Sequence, residues 1–398
     1  MKTREFEHLT TQDLYFLDKA INEQEITQGD IPRGISIAFD SLGTLRSPLT
    51  DRLYAGVSKA LRSFRDTLKQ HQLTLAVATN GPNIEGLDIL KAVNPIHDQV
   101  AAYAVTEGGG ILISRARNNQ GWDYTTLVDE SCISHLPTIA TEASGRSPLM
   151  KVLLEDTEQK AEQPPIRTPY RTNIVLTLPK DYAILMRRLL AAGLNPADIP
   201  DIIPGATADN YVAKFLTYAQ AQFSEVIMGS GLDKLIAPPL VKVANRRIYV
   251  TPKMTVDGSD LSKFGGVILG SRFLSSEFEG EYQPYDMANS IYVADNILEA
   301  TPDGHQVGSG ERSMVLGFGS FWGRLPAGVR AFNTYNAGYT KEGEMFILTD
   351  LAPRLAFNIR NKDLPITDAV VEKVRVLHIG SGGKALEAIA YLYEKLYN

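Results

Sequence analysis

Between residues 35 and 110, short apolar runs alternate with helix-like segments, and no other feature narrows the fold as far. Ile35-Ser36-Ile37-Ala38-Phe39 is a run of β-formers, apolar on both faces and too short for a helix. Residues 51–68 carry Leu53, Val57, Leu61 and Phe64 on one stripe, which predicts an amphipathic helix. Residues 73–78 predict a second buried strand, residues 83–92 a helix, and residues 101–105 a third strand. Strands without polar alternation must be covered on both faces, which is the condition of a parallel sheet between helical layers. The expected fold class is therefore α/β, a three-layer core around a parallel sheet. Each strand runs into a polar or glycine-rich loop: Asp40-Ser41-Leu42-Gly43-Thr44, Thr79-Asn80-Gly81-Pro82 and Thr106-Glu107-Gly108-Gly109-Gly110. Open parallel sheets bind ligands beyond the carboxyl ends of their strands, so these loops are where a site is expected.

The rest of the chain divides by texture. Residues 1–33 read as a helical extension, with Thr11 as cap for a helix through Phe16, Leu17 and Ala20. From about residue 115 the alternation stops. Residues 140–170 are polar and proline-bearing, 172–178 read as a strand and 181–192 as a helix. Residues 195–210 read as loop, 211–223 as helix and 247–250 as strand. We expect an α+β unit at 116–244, inserted between the two halves (34–115 and 245–398) of the first domain. The α/β texture then returns, with a helix at 262–274, a strand at 290–294 ending in Asp295, and strands at 313–318 and 345–348. A strand at 374–379, a glycine turn and a helix at 384–396 close the chain.

Composition excludes several function classes. The 398 residues suit two or three domains, and 44% hydrophobic with 22% charged residues is ordinary for a globular protein. A net charge of −6 argues against nucleic acid, whose phosphates demand clustered cations. The six histidines show no zinc-ligand spacing. The single cysteine, Cys132, permits no internal disulfide and reads as filler near a loop. The polar first residues lack a signal-peptide apolar core, and no apolar run approaches a membrane span, so the expectation is a cytoplasmic protein away from membranes. Oligomeric state is not legible.

The chemistry concentrates at Asp40. A carboxylate at the end of a buried strand is held rigidly; Gly43 lets the chain turn, and Thr44 can orient the loop or hold a phosphate oxygen. Such an Asp either attacks phosphorus as a nucleophile or caps the turn that follows it. Near residue 295 the run Ser290-Ile291-Tyr292-Val293-Ala294-Asp295-Asn296-Ile297-Leu298-Glu299 puts two acids after another apolar strand, a donor set suited to a hard cation. The terminal Gly380-Ser381-Gly382-Gly383-Lys384 lacks the full phosphate-loop pattern and reads as a strand-to-helix turn.

In order and spacing these segments resemble the haloacid dehalogenase (HAD) superfamily of phosphatases, in its Cof-like branch with a large inserted cap. Asp40-Ser41-Leu42-Gly43-Thr44 is similar to that family's D-x-D-G-T motif, residues 75–79 to its second motif, Thr106-Glu107-Gly108-Gly109-Gly110 to the turn that precedes the cap, and Leu261-Ser262-Lys263-Phe264-Gly265 to its post-cap helix start. The resemblance implies a Mg²⁺-dependent phosphoric monoester hydrolase acting on a small phosphorylated metabolite, such as a sugar phosphate. It implies Asp40 as nucleophile, Thr79 and Lys263 holding the phosphoryl oxygens, Thr44, Asn80 and Gly81 lining the substrate, and Mg²⁺ on Asp40, the Leu42 carbonyl, Asp295 and Glu299. Lys253 is the rival for Lys263; Asp350, or the Asp-free segment 317–320, is the rival for the Asp295 motif. One position departs from the family: Leu42 stands where its phosphatases carry a general acid/base Asp. A good leaving group, an acid from the cap, or phosphonatase-like or ATPase-like chemistry would compensate. The alternative is a degenerate relative that binds a ligand or partner without turnover.

Overall fold

The computed structural model describes residues 8–41, 44–46, 52–54, 56–94, 99–116, 121–158, 171–243, 246–258, 261–285, 290–294, 298–301, 304–307, 329–333, 346–351, 374–378 and 382–398. The strands are β1 (Ser36–Asp40), β2 (Thr74–Ala78), β3 (Ala102–Thr106), β4 (Ile111–Arg115), β5 (Trp122–Thr126), β6 (Ile174–Thr177), β7 (Leu240–Lys242) and β8 (Arg247–Val250). After them come β9 (Ile291–Ala294), β10 (Leu298–Thr301), β11 (Gly304–Val307), β12 (Val329–Asn333), β13 (Phe346–Leu351) and β14 (Val374–His378).

Among the described residues, nine strands form one sheet in the order β13-β14-β12-β9-β1-β2-β3-β4-β5. The run from β14 to β3 is parallel, with an antiparallel strand, β13, at one edge and the antiparallel pair β4 and β5 at the other. Strand alternation splits the side chains between two cores. Ile37, Phe39, Leu75, Val77, Ala102, Ala104, Ile291 and Val293 face one way, against the helices Val57–Gln70, Asn83–Val93 and Gly382–Tyr397. Ala38, Ala76, Ala78, Tyr103, Val105 and Tyr292 face the other, against the helix Lys263–Glu277. The fold is thus α/β in three layers, as the uninterrupted apolar runs required. In the helix Val57–Gln70, Val57, Ala60, Leu61, Phe64 and Leu68 are buried. That stripe alone docks the helix, because burying each large apolar side chain is worth about 1.5–3 kcal/mol.

A second hydrophobic core lies elsewhere in the chain. It gathers Ile139, Met150, Leu176, Leu189, Phe215, Phe223, Ile248 and Val250 around the three-stranded antiparallel sheet β6-β8-β7 and its helices. Residues 122–126 pair with β4 in the large sheet, and 247–250 pair with β6 and β7 in the small one. Texture marks where a strand is, but not which strand it pairs with.

Three local expectations are corrected. The first helix, Thr11–Asn22, is capped by Thr10 rather than Thr11, in a reciprocal pair with Asp13. The helices Leu136–Arg146 and Pro148–Glu158 stand where no element was expected. Leu298–Thr301 and Gly304–Val307, β10 and β11, pair as antiparallel strands, where a strand-end loop was expected. The strand expected at 313–318 lies outside the described residues. Cys132 is buried and free. Among the described residues no helix is long and apolar enough to cross a membrane.

Candidate active site

The parallel strands place their carboxyl ends on one edge of the sheet. From β1 the chain proceeds to β2 and β3 on one side, while β9 joins on the other. β1 therefore sits at the point where strand order reverses, and the crevice of such a sheet opens there. Asp40 is the last residue of β1.

Its carboxylate is held from two directions. Oδ1 accepts the Ser41 N–H at 2.9 Å and lies 3.1 Å from Nζ of Lys263, a residue 223 positions away in the chain. The two side chains are 10% and 12% exposed. An ion pair this desolvated contributes little net stability, but removing one partner strands the other charge at a cost of roughly 3–5 kcal/mol. Its value is that it holds two opposite charges in a fixed relation. The rival Lys253 donates instead to the carbonyl of Asp233.

Lys263 owes its position to glycine. It is the first residue of its helix, whose cap, Ser262, accepts the Gly265 N–H at 2.9 Å. That helix start rests on the glycine turn after β3. A Cβ on Gly109 (φ +111°) would fall 2.1 Å from the Ser262 carbonyl oxygen, and one on Gly266 would fall 2.6 Å from Cα of Gly109. Only glycine permits both the backbone angle and the approach.

The end of β2 is a compact polar unit. The Thr79 hydroxyl donates to Oε2 of Glu85 at 2.8 Å and accepts the Gly81 N–H at 2.9 Å. Glu85 is buried on the first turn of the following helix, so close that a Cβ on Gly81 would meet Oε2 at 2.0 Å. The hydroxyl expected to face a phosphoryl oxygen thus gives its proton to a carboxylate. Glu85 was not foreseen. The only available signal was an acid six residues after a strand-end Thr, and its burial is not written in the local sequence.

Glu107, at the end of β3, is buried and takes a positive φ of 55°. Burial pushes its carboxyl up, and hydrogen bonds from Arg171 and Thr172 oppose that. The carboxylate accepts the N–H of Arg171 at 2.8 Å, the N–H of Thr172 at 2.6 Å and the Thr172 hydroxyl at 2.7 Å. Asn173 donates to its carbonyl at 2.9 Å. This turn therefore clasps the segment leading into the small sheet. A cavity of about 240 Å³ lies between them, with Asn80, Gly108 and Lys263 on one wall and Asn173, Lys242 and Tyr249 on the other.

The remaining expected residues are placed as follows. Thr44 and Gly81 are buried. Leu42 and Asp295 lie outside the described residues. Asp295 follows β9, which pairs in parallel with β1 (Phe39 with Val293), so Ala294 ends level with Asp40. Glu299 belongs to β10 of the hairpin, opposite Gln306. The rival Asp350 lies on the antiparallel edge strand β13, with β14, β12 and β9 between it and β1. At about 4.8 Å per strand, that separation is about 19 Å. Lys384 opens the last helix and pairs with Asp13 at 3.0 Å, both side chains buried, so it serves as a tie to the first helix rather than as a phosphate ligand. Among the described residues no cluster of three or more His, Cys, Asp or Glu is arranged to hold a metal ion. What the described edge offers a cation is carboxylate oxygen, a donor that fits Mg²⁺.

No protein-family model matches the chain, and no curated protein matches it. Among solved structures it is similar to SMU.1108c from Streptococcus mutans UA159, at 11% identity over 90% of this chain and 98% of that one, with a TM-score of 0.38. It is similar to the HAD subclass IIB sugar phosphatase BT4131, at 14% identity over 76% of this chain and 88% of that one, with a TM-score of 0.32. It is also similar to the Plasmodium falciparum IMP-nucleotidase, at 12% identity over 66% of this chain and 54% of that one, with a TM-score of 0.34. The chain thus spans about half the length of the IMP-nucleotidase. Likenesses this distant leave the activity to be argued from the site itself.

Proposed function

We propose that this chain is a HAD-superfamily phosphatase that hydrolyses a small phosphorylated metabolite through an aspartyl-phosphate. The observation that carries the reading is the contact between Asp40 and Lys263 at the strand-order reversal, with Lys263 also lining the cavity. A strand-end carboxylate held beside a mostly covered ammonium can attack a phosphoryl group whose charge that ammonium offsets. The carboxylate of Asp40 attacks phosphorus, the P–O bond to the alkoxide breaks and the alkoxide takes its proton from water, and a second water then cleaves the acyl phosphate to release inorganic phosphate. Lys263 neutralises the phosphoryl oxygens and aligns Asp40. The Asn80 side chain, which lines the same cavity, orients the ester. Asp40, the Leu42 carbonyl, Asp295 and Glu299 would hold Mg²⁺, which when bound supplies charge neutralisation at the phosphoryl group. The segment from about 130 to 250 acts as the cap that covers the cleft and excludes water.

The test is a screen of purified protein with Mg²⁺ against a broad panel of phosphate esters, with Asp40→Asn alongside. The expected result is turnover in the wild type and its loss in the variant. Unchanged turnover in Asp40→Asn rules out the nucleophile.

A second reading, a ligand- or partner-binding protein without turnover, is favoured by Leu42 and by the commitment of the Thr79 hydroxyl to Glu85. Reproducible Asp40-dependent turnover of any ester excludes it.

A further inference from the structure

The small sheet has two unlike faces. Ile248 and Val250 of β8 are fully buried against its own helices. Alternation sends Tyr249 and Thr251 to the opposite face, with Leu240 and Lys242 of β7 beside them, and all four line the cavity. Arg247 pairs with Lys242 across the strands and adds a second cation to that face. The Lys242 ammonium sits 5.9 Å from the Tyr249 ring centroid, a range in which an aromatic face steadies a cation.

The cavity therefore has a lysine on each wall. Lys263 stands at the sheet edge against Asp40, and Lys242 stands across from it on the small sheet. The acid that lines it, Glu107, has its carboxylate oxygens occupied by the donors of Arg171 and Thr172. Lys242 thus supplies a cation on the wall opposite the Asp40–Lys263 pair. The volume of about 240 Å³ is below the range of about 300–1,000 Å³ usual for drug-sized ligands, which suits a compact metabolite rather than a nucleotide.

We propose that Lys242, steadied by Tyr249, is a subsite for a second anionic group, so that the preferred ligand carries a phosphoryl group at one end and a phosphate or carboxylate at the other. The proposal rests on the phosphatase reading for which end is cleaved, but not for binding. Its test compares dissociation constants, by titration calorimetry on the full chain, for fructose 1,6-bisphosphate against fructose 6-phosphate and for 3-phosphoglycerate against glycerol 3-phosphate. The expected result is that one or both two-anion ligands bind roughly tenfold or more tightly than their partners, as one charge-assisted contact provides. In Lys242→Met that preference ratio falls toward one, and Lys242→Arg restores it. Equal binding within both pairs, no binding of any of the four, or a ratio unmoved by Lys242→Met overturns the subsite. Asp40-dependent turnover without such a preference defeats the subsite and leaves the phosphatase reading standing. A Lys242-dependent preference in a protein that turns over no ester defeats the phosphatase reading and leaves the subsite standing.

Discussion

At the scale of single residues, Leu42 decides how far the proposed chemistry runs. A leucine cannot protonate a leaving alkoxide. Leu42→Asp is expected to raise kcat on an alkyl phosphate by roughly 10²–10⁴-fold, the usual contribution of a positioned general acid. On p-nitrophenyl phosphate, whose leaving group needs no proton, the gain should be much smaller; a steady-state comparison of the two substrates reads the difference. Lys263→Met should abolish turnover and also lower stability by about 3–5 kcal/mol, because it leaves the Asp40 carboxylate desolvated beside an apolar side chain. Urea unfolding of Lys263→Met beside the double variant Asp40→Asn/Lys263→Met checks this, since the second change should recover part of the loss. Asp40 stood out in the sequence by its place at a strand end, and Lys263 only through the family resemblance; their 3.1 Å contact is a tertiary fact. Glu85 and Lys242 were not legible, because neither burial nor a facing wall is a property of neighbours in sequence.

At the scale of elements, the helix Lys263–Glu277 depends on the glycine turn it rests on. Gly109→Ala combines a left-handed backbone angle with a Cβ 2.1 Å from the Ser262 carbonyl oxygen. A loss of about 2–4 kcal/mol in chemical denaturation is expected, with kcat falling as the helix start carries Lys263 away from Asp40. Thr10→Ala should cost about 1 kcal/mol by removing the cap of the first helix, whereas Thr11→Ala should cost much less. The helices Leu136–Arg146 and Pro148–Glu158 show why an element can go unread. Pro137 and Pro148 suggest a break, yet each lies in the first turn, where no backbone N–H is needed. Behind them, Leu136, Ile139 and Ala143, then Leu149, Met150 and Leu153, keep helical spacing and are buried.

At the scale of the whole molecule, a buried pair ties the first helix to the last. Burial works against ionised Asp13, but the hydrogen bonds from Thr10 and Lys384 hold its carboxyl below the usual carboxylate range. A folded-state pKa below the unfolded value means that the unfolded chain takes up the proton first. The contribution is therefore whole at neutral pH and is lost as pH falls below about 4. Asp13→Asn should lower the melting temperature at pH 7 and flatten its fall between about pH 4 and pH 3; thermal melts across that window test it. Glu107 has a comparable long-range task, since its carboxylate gathers the backbone of Arg171 and Thr172 onto the β3 turn.

The sequence by itself determined the layer architecture, because strands apolar on both faces can be stable only between two helical layers. It also determined the chemical character of the candidate edge, because the polar and glycine residues that turn the chain at each strand end are local in sequence. Tertiary structure alone decided the strand order that sets β9 beside β1, the membership of Trp122–Thr126 and Arg247–Val250 in opposite sheets, and the meeting of Asp40 with Lys263 across 223 positions. It alone turned Lys242 and Tyr249 toward the cleft. Pairing and packing are choices among many compatible partners, and they are settled by the free energy of the whole assembly rather than by any window of the chain.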